Sequence, residues 1–128
     1  CGDCPLIDPE IVDLCVRSYL DSRVDITTNV LRRTYAKGMD VEVFHNATLK
    51  RIMRLTDNTH FRENVTLFAY DTPHLFKFDS ILDNNDNSRF NCSVDTTNDL
   101  DRLRRLISSY SMDVKYFEIV EWFTKEGY

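Results

Sequence analysis

Residues 39–94 decide the fold: MDVEVFH (39–45), ATLKRIMRL (47–55), ENVTLFAY (63–70), HLFKFDSIL (74–82) and RFNCSV (89–94). Apolar and polar residues alternate in each, and HN, TDNTH, DTP and DNNDNS separate them. A period of two bounded by turn residues predicts strands. Connections this short leave no room for helical crossovers, so the expected pairing is an antiparallel meander. Only 47–55 reads both ways, because Leu49, Ile52 and Met53 also fit helical spacing.

Working outward, residues 8–22 (DPEIVDLCVRSYLDS) carry the marks of a helix start. Asp8 can cap it, Pro9 suits its first position, and Ile7 and Val12 form a hydrophobic staple. Residues 25–37 (DITTNVLRRTYAK) read as a second helix, with Arg32, Arg33 and Lys37 near its end and Gly38 as a left-handed stop. Val24, Ile26, Thr28 and Val30 alternate there as a strand would. Residues 96–110 form an amphipathic helix with Thr96 and Asp99 as a capping box and Leu100, Leu103, Ile107 and Tyr110 as its stripe. MDVKYFEIVEWF (112–123) alternates with apolar residues on both faces, which predicts a last strand between two layers. The sum is one α+β domain over 1–128. It has two N-terminal helices, an antiparallel sheet of five to six strands and an amphipathic helix before the last strand, with helices on one face of the sheet.

With 42% hydrophobic residues the 128-residue chain has material for one core. Its net charge of −5, with both signs interspersed, argues against nucleic acid as a partner. No apolar run is long enough to span a bilayer. A chain that starts at Cys1 without an apolar leader reads as a mature product whose signal peptide has been removed. The even cysteine set, Cys1, Cys4, Cys15 and Cys92, suits two disulfides. Cys15 faces the core from its helix, and Cys92 alternates with Asn91. The pairings Cys4–Cys15 with Cys1–Cys92, or the swap, close a loop worth about 4 kcal/mol in the chain-entropy model. Acceptor sequences at Asn46, Asn64 and Asn91 add N-glycosylation, and together these features predict a secreted, extracellular protein.

No catalytic constellation emerges. CGDCP lacks the preceding strand of a thioredoxin-type redox centre, and Cys15 and Cys92 stand too far apart for a four-cysteine zinc site. His45, His60 and His74 fall in turns, and neither a Gly-rich phosphate loop nor a nucleophile motif occurs. No metal or other cofactor is expected. Phe68, Tyr70, Phe76, Phe78, Tyr116 and Trp122 are the candidate ligand or partner surface. The first function predicted is a non-enzymatic protein-binding module directed at an extracellular protein or receptor, of the kind used in immune modulation by viruses or parasites. The alternative is a carrier of a small apolar ligand between sheet and helices. CGDCPLIDPEIVDLC resembles the start of insect takeout-type carriers over some fifteen residues, and RFNCSV through VEWF resembles a lipocalin ending. The chain is too short for the first fold and has no early Gly-x-Trp strand for the second, so no residue role is carried over.

Overall fold

Ile26, Thr27 and Thr28, two threonines and an isoleucine in a row, are all fully buried. Branching at Cβ favours the pleated conformation, and they form the middle strand of a small sheet. The computed structural model describes residues 2–64 and 66–128. Its elements are, in order, α1 (Pro9–Asp21), β1 (Ile26–Thr28), β2 (Glu42–Phe44), α2 (Asn46–Leu55), α3 (Thr59–Glu63), α4 (Leu67–Asp71), a 3-10 turn at Pro73–Leu75, β3 (Phe78–Ser80), α5 (Thr97–Ser109) and α6 (Tyr116–Lys125). The sheet runs β2-β1-β3. β2 is antiparallel to β1, with Ile26 opposite Phe44, and β3 is parallel to it, with Ile26 opposite Phe78. α1 packs against β1 and β2.

The expected helices at 8–22 and 96–110 form as α1 and α5. Asp8 caps α1 by accepting from the Glu10 amide at 2.8 Å, and Thr96 and Asp99 close the capping box of α5. The remainder corrects the expected architecture. Among the described residues the sheet has three strands, not five to six, and one of its two pairings is parallel. Residues 25–37 are not a second helix: β1 ends at Thr28, and Asn29 folds the loop back by donating to the Met39 carbonyl at 2.6 Å and accepting from the Val41 amide at 2.8 Å. Residues 47–55 are helical because Thr48 and Ile52, one turn apart, face inward while Lys50, Arg51 and Arg54 stay in water. The expected strand at 63–70 becomes the single turn α4, which buries Ala69. Only Phe78–Ser80 of 74–82 is a strand, and 89–94 makes one isolated bridge, between Asn91 and Lys37. The segment expected as the last strand is helix α6. Ile119, Trp122 and Phe123 bury one stripe, and Glu118 and Asp8 accept from the Lys115 and Tyr116 amides at its start.

Two apolar clusters result. The larger gathers the 2–8 segment, α1, α5 and α6 around Phe90 and Phe123, whose rings stack at 5.1 Å. The smaller joins Ile26, Ile52, Ala69 and Phe76. Cys15 and Cys92 lie inside the larger as free thiols, and half-buried Cys4 is free as well. Burial pushes the Cys15 thiol up to about 11 and that of Cys92 to about 12. Both act as small apolar residues, so the two expected disulfides are not what stabilises this fold; Cys1 lies outside the described residues.

Candidate functional site

Three segments that are distant in sequence meet beside the larger core. The Lys37 amide donates to the Phe90 carbonyl at 2.9 Å, the Cys92 amide to the Lys37 carbonyl at 2.7 Å, and the Val94 amide to the Asp3 carbonyl at 2.8 Å. Gly38 makes the junction possible. Its φ is +93°, and a Cβ there would stand 2.7 Å from the Cys92 carbonyl carbon and the Ser93 nitrogen. Only glycine combines that backbone conformation with so close an approach. Tyr116 fixes the segment from below, its hydroxyl accepting from the Ala36 amide at 3.2 Å and donating to Asp83 at 3.1 Å.

This scaffold brings Asp3, Lys37 and Asp95 together. Lys37 Nζ lies 2.7 Å from Asp95 Oδ2, with both side chains half exposed. The Ser93 hydroxyl donates to the same carboxylate at 3.0 Å. The Lys37 bond, then that of Ser93, holds the Asp95 carboxyl below its usual range, and Asp95 in return raises Lys37, with Asp99 and Asp3 adding to the negative field. Asp99 is occupied differently. Bonds from the Thr96 hydroxyl and from Arg102 at 2.6 Å bring its carboxyl down to about 2. Arg102 is itself tied to the Asn91 carbonyl at 3.0 Å. Asp99 and Arg102 therefore hold each other, while the half-exposed Asp95–Lys37 pair stands beside the segment of Asp3, whose carboxylate accepts from the Cys4 thiol at 3.8 Å.

The residues expected from sequence lie elsewhere. Phe68 and Phe76 meet edge to face at 6.3 Å, and Tyr70 stacks on Phe78 at 5.4 Å, so these four pack around the smaller cluster. Trp122 is buried against Phe123 and Tyr128. Tyr116 props up the 36–38 segment. Of the acceptor asparagines, Asn46 opens α2 and Asn64 ends α3, both exposed, while the half-buried Asn91 accepts from the Ser93 amide through its side-chain oxygen. His45 caps α2 through Nδ1. Among the described residues no three His, Cys, Asp or Glu side chains form a metal cluster, and no helix is long and apolar enough to cross a membrane. Sequence reading missed Asp3, Lys37 and Asp95. The available signal was Asp3 inside CGDCP, a lysine before one of only three glycines, and an Asp just before a helix cap.

No protein-family model matches the chain, and no curated protein sequence matches it. Among solved structures, a cytidylyltransferase from Leptospira borgpetersenii serovar Hardjo-bovis (strain JB197) superposes with a TM-score of 0.93 at 31% identity, over 98% of this chain and 54% of its own. The chain thus spans about half the length of the structure it matches. The relative is an enzyme, and likeness of this degree overturns the expected non-enzymatic binding module and its apolar-carrier alternative. It also overturns the secreted, disulfide-stapled glycoprotein, since Cys4, Cys15 and Cys92 are free thiols. The chain and this enzyme share a fold over nearly all of the chain's length.

Proposed function

We propose that this chain carries the acidic side of a nucleotidyl-transfer site of the cytidylyl type. The observation that carries this reading is the match over nearly the whole chain to a cytidylyltransferase, and the convergence of Asp3, Lys37 and Asp95 agrees with it. In such a transfer an acceptor oxygen attacks the α-phosphorus of CTP and pyrophosphate departs, so the site has to manage phosphate charge more than covalent chemistry.

The donor set fits Mg²⁺. That ion prefers oxygen ligands and is held by one or two carboxylates together with substrate phosphates, in place of a closed protein cage. Asp95 is one such carboxylate, half exposed, and the backbone bond from the Val94 amide sets the segment that carries Asp3 beside it. When bound, the ion would neutralise charge on the phosphates and orient them. The chain's own residues do the rest. The bond between the Val94 amide and the Asp3 carbonyl holds the two carboxylate-bearing segments in register. Ser93 orients Asp95. Lys37 brings a positive charge to Asp95, and the N-terminus of α5, which begins two residues after Asp95, adds the positive end of a helix dipole.

The test is Mg²⁺-dependent release of pyrophosphate from CTP across a panel of hydroxyl acceptors, compared with ATP, GTP and UTP. The reading expects release from CTP above the others, lost to background in Asp3→Asn and Asp95→Asn. Release that ignores both substitutions, or that needs no divalent cation, contradicts it.

A further inference from the structure

Lys37, paired with Asp95, and Arg102, paired with Asp99, are held in opposite ways. The Arg102 side chain is only 15% exposed and is clamped between Asp99 and the Asn91 carbonyl. Lys37 has a backbone fixed on both sides by hydrogen bonds to the 90–92 segment, yet its side chain is 50% exposed and, among the described residues, its ammonium bonds to Asp95 alone. A half-exposed pair of this kind contributes little to stability. The lysine stem is flexible, and its ammonium is a point charge suited to changing partners. The backbone thus brings a mobile cation to the oxygens that a divalent ion would use. Two cations cannot share one carboxylate at such a distance without repulsion.

We propose that Lys37 is a resident counter-ion of the Asp3–Asp95 site that gives up Asp95 when a divalent cation arrives and turns its ammonium to the pyrophosphate leaving group. This inference rests on the nucleotidyl-transfer reading of the site. In the empty protein Lys37 pairs with Asp95, and in the loaded site it becomes a ligand of the phosphates. A lysine kept only for structure would not make that change.

The exchange predicts effects of opposite sign from a single substitution. In the 128-residue chain, Mg²⁺ alone and then Mg²⁺ with inorganic pyrophosphate are titrated while the backbone amides of Asp3, Lys37, Ser93 and Asp95 are followed by NMR. Lys37→Met should bind Mg²⁺ alone about five-fold more tightly, because the competing charge is gone, and magnesium pyrophosphate about ten-fold more weakly, because a charged hydrogen-bond donor is lost. Lys37→Arg keeps the charge and should remain within about two-fold of the parent on both counts. Unchanged Gly38 and Cys92 amide shifts establish that the variants keep the local fold. If Lys37→Met changes both affinities in the same direction, or neither, the exchange is overturned and the carboxylate site stands. If Mg²⁺ perturbs Asp3 and Asp95 in none of the proteins, the exchange and the metal reading of the site fall together.

Discussion

The larger and smaller apolar clusters hold similar side chains under different backbones. Around Phe90 and Phe123, loops that run next to the core are latched by backbone hydrogen bonds, and those latches bring the segments of Asp3, Lys37 and Asp95 side by side. Around Ile26 and Phe76, the backbone ladder of the small sheet is joined to short helices by side chains. Tyr70 donates to Glu42, Thr66 donates to the same oxygen at 2.7 Å, and aromatic rings fill the gaps. Exposed Met53 and Leu55 lie at the margin of that region. A site that must hold charges in register is built from main chain, which has few ways to relax. A cluster whose task is support is built from rotamers.

Gly38→Ala should break the first region most severely. It combines a strained φ with backbone atoms 2.7 Å from the new Cβ, for an expected loss of about 3 kcal/mol or more. Urea unfolding measures that loss, and a variant of near-parental stability would show that the 36–38 latch can shift. Truncating each core sharpens the contrast. Phe123→Ala, in the fully buried stack on Phe90, should cost about 3–5 kcal/mol, and Ile52→Ala, at the edge of the smaller cluster, about 2–3 kcal/mol. Equal costs would mean that the clusters are one cooperative unit. Tyr70→Phe removes the link to Glu42 and should cost about 1–2 kcal/mol, read as a fall in melting temperature.

The smallest effect concerns acid. Thr96 and Arg102 depress the Asp99 carboxyl to about 2 from an ordinary 3.8, so the unfolded chain takes up a proton before the folded one does. The contribution of Asp99 is complete above about pH 4 and declines as pH falls toward 2. Melting curves across that range should show the decline in the parent and a shallower one in Asp99→Asn. Identical slopes would place the acid sensitivity elsewhere.

Local signals were enough for part of this architecture. α1 and α5 carry caps at their starts and apolar stripes at helical spacing, and both form where the pattern places them. The 63–82 region failed because its apolar residues serve short elements whose type is set by what they pack against. Phe68 and Phe76 look like strand residues on a period of two, yet one sits in a helical turn and the other in an extended link. In α6, Ile119, Trp122 and Phe123 lie at helical spacing, but Tyr116 and Phe117 before them and Val120 among them imitate alternation. β1 and β3 pair in parallel because α2, α3 and α4 form the crossover, a connection invisible while those segments were read as strands. The cysteines misled for a physical reason: a buried thiol and a half-cystine occupy the same kind of apolar position. Asp3, Lys37 and Asp95 had no visible relation in sequence, since backbone contacts spanning more than fifty residues bring them together.

The most direct measurement is a map of where magnesium CTP touches the chain, because binding needs no knowledge of the acceptor. Amide chemical shifts are recorded as CTP is added with and without Mg²⁺. The account predicts Mg²⁺-dependent shifts concentrated at Asp3, Lys37 and 93–97, abolished in Asp95→Asn. Shifts of equal size without Mg²⁺, or centred on the aromatic cluster around Phe76, would contradict it.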